Sequence, residues 1–433
     1  MKYIIGILVL GLVVLFHEFG HFILARKNHI VVEEFAIGMG PKILSFKSKK
    51  SGTVFAWRIL PFGGSCAMLN EDDGEKIPGS FIGAPVWRRA LVVAAGPVFN
   101  FILAFLLSLV IVGVSGADPT VVAEVPSGTP EAEAGLQAGD EIVSYNGEWI
   151  VNSRDFYMDL LMKEIPTDKI SLVVKRDGKK VRISYQPSSE TRYLLGIHWQ
   201  ESEDGNGLQL TMVNKGTAAR KAGLQMGDVV TVLNGTQVRT TEDMSSYLEE
   251  HPLDGSPVEI TYERNGKEGT VTVTPEKTVT AALNFSYRSA RVKQGFFGVI
   301  RYSFYELIFW IKMAWKSLAG MLNGTFGIND MSGPVGIVKT VGDTYSAAAA
   351  EVSPGAALLT LASVMSMISV SLGFMNLIPL PALDGGRLLL MLIEAIRRKP
   401  VNRKIEENIN FYGLMALMAF IVYITVHDIM KLF

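Results

Sequence analysis

Cysteine is nearly absent from this 433-residue chain, with Cys66 the single example. A lone thiol excludes disulfide stapling and any multi-thiolate metal site, so polar domains must hold together by packing alone. Net charge is also lacking: 41 Lys and Arg stand against 42 Asp and Glu, which gives no electrostatic pull toward nucleic acid. Histidine is scarce, at six residues. Charge is almost missing from four apolar runs, Ile4 to Ala25, Ala90 to Ser115, Ala357 to Ile378 and Phe411 to Ile429. Each is about 20 residues or more, the length that crosses a bilayer core. The first run follows Lys2 but lacks a small-residue cleavage site, so it is expected to remain as a transmembrane helix rather than a signal peptide.

What charge there is lies unevenly. Arg26, Lys27, Lys42, Lys47, Lys49, Lys50, Arg58, Arg88 and Arg89 follow the first run, and Arg387, Arg397, Arg398, Lys399, Arg403 and Lys404 follow the third. The positive-inside rule places both segments in the cytoplasm, with the polar middle of the chain and both termini outside.

Deep within the first of these runs stands His17-Glu18-Phe19-Gly20-His21. On a helix, positions i and i+4 share a face, so His17 and His21 can aim imidazole nitrogens at one ion with Glu18 beside a bound water. Zinc fits best, since its catalytic sites use three protein ligands and leave a fourth position for water. Glu18 could then take the water proton and pass it to a leaving amine. On a soluble helix so short a motif could arise by chance. Within a membrane span an ionisable residue costs about 2.5–3.5 kcal/mol on insertion scales and marks a function.

A third ligand is still needed. His29, His198, His251 and His427 are poorly placed. Asp384 lies in Asn376-Leu-Ile-Pro379-Leu-Pro381-Ala-Leu383-Asp384-Gly385-Gly386-Arg387, at the cytoplasmic end of the third run, and spans one and three cross in the same direction. The prolines break helical hydrogen bonding and the glycines permit close backbone approach. Irregular backbone at membrane depth is tolerated where it is buried or lines a wet cavity. Taken alone, the run reads as a helix end with Asp384 as its cap. Cys66 is expected to be a small structural residue.

The middle region repeats itself. Val125 through Gly128, Ala134-Gly135-Leu136, Gly139-Asp140 and Asn146-Gly147 recur as Val213 through Gly216, Ala222-Gly223-Leu224, Gly227-Asp228 and Asn234-Gly235, at a constant offset of 88 residues. That period suits two tandem small domains rather than a solenoid. Each copy reads as strand, short helix, tight turn, strand and Asn-Gly turn. The pattern resembles the PDZ domain in its permuted bacterial form, which implies peptide capture by strand addition, often at a C-terminal carboxylate. Spacer or size-filter roles are the alternative. Farther on, Phe296 to Leu322 has the spacing of an amphipathic helix lying on the membrane surface. Ile43 to Ser48 and Thr53 to Ile59 flank a turn and predict a hairpin whose edge could hold an extended substrate.

Taken together, HEFGH on the first span, NLIPLPALDGGR on the third and tandem PDZ-like domains between spans two and three resemble the site-2 protease family, in particular its bacterial branch of sigma-factor regulators. Gly38-Met-Gly40-Pro41 and Gly96-Pro97-Val-Phe-Asn100-Phe101 are similar to family segments as well, whereas Pro61 to Met68 departs from the usual pattern of an aromatic after the Gly pair and a basic residue before Met. The resemblance implies zinc bound by His17, His21 and Asp384, Glu18 as general base, and Asn376 orienting substrate. It also implies cleavage of single-pass transmembrane proteins such as shortened anti-sigma factors, and leftover signal peptides, in the bacterial cytoplasmic membrane.

The expected fold is a polytopic α-helical membrane protein with four transmembrane helices, two small α+β PDZ-like domains outside and a membrane-associated β-hairpin, its active site near the cytoplasmic side. The expected divisions are 1–25, span one; 26–89, cytoplasmic with the hairpin; 90–116, span two; 118–204 and 205–276, the PDZ-like domains; 283–325, linker and surface helix; 357–384, span three; and 411–430, span four. Expected partners are the lipid bilayer, transmembrane substrates and peptide C-termini. A membrane-anchored PDZ scaffold or chaperone with a vestigial metal site would share this organisation. A zinc membrane protease that cuts soluble loops also carries HExxH, but usually completes its site with a Glu on a later helix.

Overall fold

The computed structural model describes residues 2–71, 76–202, 204–214, 216–288, 291–324, 331–399 and 401–430, apart from the side chains of Leu60, Pro61, Phe62, Glu351 and Arg403. It divides into two compact units, one of residues 1–117, 292–316 and 332–433, the other of 118–291 with 317–331. In chain order the first elements are α1 (Lys2–Lys27), β1 (Val32–Lys47), β2 (Val54–Met68) and α2 (Val86–Ser115). The first small domain supplies β3 (Val121–Glu124), α3 (Pro130–Glu133), β4 (Glu141–Tyr145), β5 (Glu148–Trp149), α4 (Ser153–Met162), β6 (Ile170–Arg176), β7 (Lys179–Tyr185) and β8 (Ser189–Leu194). The second supplies β9 (Ile197–Glu201), β10 (Leu208–Val213), α5 (Ala218–Lys221), β11 (Val229–Leu233), β12 (Thr236–Gln237), α6 (Thr241–Glu250), β13 (Val258–Arg264) and β14 (Lys267–Val273). Then come β15 (Glu276–Ala281), β16 (Ser286–Arg288), α7 (Phe296–Leu322), α8 (Pro334–Glu351), α9 (Pro354–Leu377), α10 (Asp384–Arg397) and α11 (Arg403–Met430).

Among the described residues, four helices are long and apolar enough to cross a membrane: α1, α2, α9 and α11. They match the four apolar runs. Small residues let these helices approach closely, as membrane packing favours. A Cβ on Gly20 would lie 2.4 Å from the Ala95 carbonyl oxygen, and one on Gly6 the same distance from that of Val338. Between α2 and α9, Ser369 Oγ donates to the Asn100 carbonyl at 2.8 Å and Ser366 Oγ to that of Ala104 at 3.4 Å, so each hydroxyl is satisfied inside the bundle. Val9, Val13, Leu103, Val341 and Met365 fill the space where α1, α2, α8 and α9 meet.

The expected hairpin forms, but as the tip of a larger sheet. Ala36 pairs with both Ser65 and Ala56, while Ser45 also pairs with Ala56. The two long strands therefore fold back into four segments, in the order 64–68, 32–37, 54–58, 42–47. Gly38, Gly40 and Gly63 make the bends in the left-handed region, at φ 84°, 88° and 85°, which costs glycine little. Among the described residues, segment 64–68 pairs on one side only, with 32–37. The sheet docks on the second half of α1 through Phe22, Ala25, Val32, Phe35 and Met68. Burial there pushes the Cys66 thiol up, away from the thiolate form, in keeping with a structural role.

Two expectations change. Helix α7 forms, yet Tyr302 packs with Val112 and Ala117 while Leu307, Trp310 and Ile311 pack with Phe101, Ala104 and Val370. It thus runs antiparallel along α2 and against α9, rather than lying on the membrane surface. Helix α9 ends at Leu377, so Asp384 belongs not to the third span but to the first turn of a separate helix, α10.

In the second unit the repeat is structural. The sheets run β16-β3-β4-β6-β7, with β5 beside β4, and β9-β10-β11-β13-β14, with β12 beside β11. The 88-residue offset extends to the outer strand: Tyr287 faces Val122 as Trp199 faces Leu210. Domain two takes that strand from just before β10, whereas domain one takes it from beyond the whole of domain two. The second domain is thus inserted into the first, with the antiparallel pair β8–β15 as entry and exit. The expected boundary at 204/205 cuts through the β9–β10 hairpin, and residues 286–288, expected to be linker, complete domain one. In each copy an arginine clamps the Gly-Asp turn. Arg176 donates to both Asp140 oxygens at 2.7 Å and to the Gly135 carbonyl, and Arg264 does the same for Asp228 and Gly223.

Candidate metal centre

The site begins with α1, whose apolar sequence makes a helix regardless of the histidines it carries. His17 and His21 fall one turn apart on its buried side, each with only 9% of the side chain exposed. The third element is the broken backbone after α9. Ala382 takes a left-handed φ of 69°, and Gly385 and Gly386 lie so close to the preceding loop that a Cβ on either would sit 2.2 Å from the carbonyl oxygen of Ile378 or Leu380. The Pro-x-Pro-x-Leu-Asp-Gly-Gly run therefore folds tightly on itself and starts α10 with Asp384.

These elements bring His17, His21 and Asp384 together. His17 Nε2 is 3.1 Å from Asp384 Oδ2, His21 Nε2 is 3.5 Å from the same oxygen, and the two ring nitrogens are 3.2 Å apart. Asp384 Oδ2 is buried and, despite this proximity, accepts no hydrogen bond. His21 Nδ1 faces the Val92 carbonyl at 2.9 Å. A carbonyl only accepts, so His21 carries a proton on Nδ1 and, as a neutral ring, a lone pair on Nε2. The lone pairs of His21 Nε2 and Asp384 Oδ2 therefore converge beside His17 Nε2, an arrangement that suits a cation. Tetrahedral zinc with ligands at about 2.0–2.2 Å separates them by about 3.3–3.6 Å, and the observed triangle fits to within a few tenths of an ångström. Among the described residues no other His, Cys or carboxylate cluster meets the same test.

Helix α2 closes the site from behind. A Cβ on Gly96 would lie 2.3 Å from His21 Nε2 and 2.7 Å from His17 Cε1. One turn on, the fully buried Asn100 has its amide 3.2 Å from His17 Nδ1. Sequence reasoning noticed Gly96 to Asn100 only as a family-like segment and gave neither residue a role. The available signals were a glycine inside a helix, where alanine is preferred by about 1 kcal/mol, and an amide at membrane depth.

Glu18 is half-buried and lies against segment 64–68, where a Cβ on Gly64 would meet Glu18 Cγ at 2.9 Å. Asn376 sits half-buried in the last turn of α9, just before the broken loop. Arg387 of α10 pairs with Glu71, just beyond β2, and Arg89 of α2 pairs with Glu394 at 2.7 Å. Both bonds fix α10, and with it Asp384.

Residues 5–420 match the model of peptidase family M50. The chain belongs to this family. It is 32% identical to the zinc metalloprotease RasP of Geobacillus kaustophilus, over 99% of this chain and 97% of that one. It is 30% identical to the regulator of sigma-W protease RasP of Bacillus subtilis, over 99% and 98%. Among solved structures, the HtrA3 PDZ domain bound to a phage-derived ligand matches 22% of this chain at 16% identity, with a TM-score of 0.19. This M50 chain is a membrane metalloendopeptidase with zinc as its cofactor. The scaffold and loop-cutting alternatives are not favoured.

Proposed function

We propose that His17, His21 and Asp384 hold the zinc, that Glu18 is the general base, and that the enzyme cleaves transmembrane segments of single-pass proteins. The convergence of His17 Nε2, His21 Nε2 and Asp384 Oδ2 beside Glu18, at the end of a membrane-spanning helix, carries this reading. Bound zinc supplies acidification of a water toward a pKa of about 7 and polarisation of the scissile carbonyl. Glu18 accepts the proton of the attacking water and delivers it to the departing amine nitrogen, so that the C–N bond breaks to a neutral amine.

A helical substrate hides its carbonyls in its own hydrogen bonds and must be unwound before attack. The one-sided segment 64–68, lying on Glu18, offers a ladder edge to an unwound strand. Asn376 is free to bind it, since its amide makes no hydrogen bond among the described residues. Ile43, Leu44, Phe46, Trp57 and Ile59 leave the tip of the same sheet apolar and exposed, which supports contact of the hairpin with lipid. The basic segments after α1 and after α10 support a cytoplasmic location for the site, with the PDZ-like domains on the opposite side. The activity named for the Bacillus subtilis relative favours anti-sigma factors as substrates.

The PDZ-like domains are not equivalent. In domain two the Gly196 amide, at φ 80° ahead of the edge strand β9, donates to no group among the described residues. At the matching position in domain one the Asn284 amide donates to the buried Glu131 carboxylate at 3.0 Å, where domain two has Ala219. Domain two is therefore the better receptor for a peptide C-terminus, and domain one the better spacer.

Cleavage of a tagged single-pass protein by purified enzyme in detergent tests the reading. Glu18→Gln is expected to lower the rate by about 10²–10⁴ while zinc stays bound. Equal cleavage by wild type and Glu18→Gln would overturn it.

A further inference from the structure

We infer that Asn100 is a positioning residue whose amide oxygen, turned toward His17, fixes that histidine as a metal ligand. The inference rests on the metal-centre reading above and goes beyond the ligand set. His17 can ligate through Nε2 only if that nitrogen keeps its lone pair, which puts the ring proton on Nδ1. For His21 this tautomer is imposed by the Val92 carbonyl, which can only accept. For His17 the partner at Nδ1 is the side-chain amide of Asn100, whose Nδ2 lies 3.2 Å away while Oδ1 is buried with no hydrogen-bond partner. In that orientation the NH₂ group faces Nδ1 as a donor. It stabilises the opposite tautomer, with the proton on Nε2, where a metal would bind.

A half-turn of the amide about its last torsion resolves the conflict at Nδ1 and places the NH₂ group where the unpartnered oxygen now lies. The oxygen and nitrogen exchange places with almost no change of shape. Nδ1–H of His17 then donates to Oδ1, and Nε2 presents its lone pair beside those of His21 and Asp384. The rest of Asn100 does not need to move, because its carbonyl is held by Ser369 Oγ at 2.8 Å and the residue is fully buried. The amide therefore has two settings, nitrogen inward for the metal-free ring and oxygen inward for the ligating ring. Outer hydrogen-bond partners of metal-bound histidines typically carry 10- to 100-fold in metal affinity.

Zinc affinity, measured on the full-length purified protein by competition with a chelating dye, tests this without reference to proteolysis. Asn100→Leu keeps the volume but removes the acceptor, and is expected to bind zinc about 10- to 100-fold more weakly. Asn100→Asp can accept but not donate, and is expected to bind at least as tightly as wild type. Wild-type affinity in Asn100→Leu would overturn the inference, as would a loss in Asn100→Asp. If Asn100→Leu fails to fold, Asn100→Asp decides alone, since a nitrogen-inward amide predicts loss and an oxygen-inward amide predicts retention. Asp384→Asn, measured alongside, separates the two levels of the argument. If it binds zinc like wild type the ligand set itself is wrong; if it loses zinc while Asn100→Leu does not, only the role of Asn100 fails.

Discussion

Gly96→Ala should damage the metal centre while leaving most of the fold intact. By propensity alone the change favours the helix by about 1 kcal/mol. Its new methyl, however, would lie 2.3 Å from His21 Nε2 and 2.7 Å from His17 Cε1, where ordinary contact begins at 3.4 Å. Relief requires α2 to retreat or the imidazole to swing by about 1 Å, several times the tolerance of about 0.2 Å on a metal–ligand distance. Overpacking of this kind costs about 1–3 kcal/mol, so the propensity gain leaves a net loss of about 0–2 kcal/mol. The effect on zinc should be larger, a weakening of at least about tenfold by the scale of ligand-positioning contacts. Gly113, on the same helix, has nothing within 4 Å of its added Cβ. Gly113→Ala is therefore the control, expected to keep wild-type zinc affinity and to lose no stability. Chelator competition and thermal unfolding of both variants give the comparison. Wild-type zinc affinity in Gly96→Ala would refute the steric argument.

Other consequences can be measured on the same preparation. Arg264→Met leaves the Asp228 carboxylate, 1% exposed, without its bidentate partner; because the arginine itself is partly exposed, the expected cost is about 1–3 kcal/mol, read as earlier proteolysis of domain two on heating. Asp428 of α11 accepts from the amides of Gly333 and Gly336 at the start of α8. Asp428→Ala removes this cap at about 1 kcal/mol and should raise hydrogen exchange at 333–336, whereas unchanged exchange would count against the contact. Burial on β9 holds the His198 imidazole below its ordinary value. The unfolded chain then binds the extra proton more readily, so this contribution to domain-two stability is complete above pH about 6.5 and is lost as pH falls from there through the folded value. His198→Gln should flatten the decline.

The features legible in the sequence were those set by local pattern. Four apolar runs gave four long helices, the 88-residue repeat gave two sheets of one topology, and His17, His21 and Asp384 converge. What could not be read depends on contacts between distant segments. Residues 286–288 look like linker because nothing local says that their partner is β3, more than 160 residues earlier. The amphipathic pattern of α7 announces an apolar face but not what covers it, and the answer was α2 and α9. The hairpin tip is spelled by a Lys-Lys-Ser-Gly turn, whereas the doubling of its strands depends on left-handed glycines whose bends only the paired sheet reveals. Gly96 and Asn100 lay hidden for a different reason. A glycine that makes room and an amide that supports a ligand carry no chemistry of their own, and they acquire a role only against the residues on α1.

The central claim is a zinc site split between α1 and the first turn of α10, and X-ray absorption at the zinc edge of the purified protein tests it most directly. The account predicts one zinc per chain in a shell of nitrogen and oxygen with two imidazoles and no sulfur, lost or reduced in Asp384→Asn. A sulfur neighbour, or an unchanged shell at full occupancy in Asp384→Asn, would contradict it.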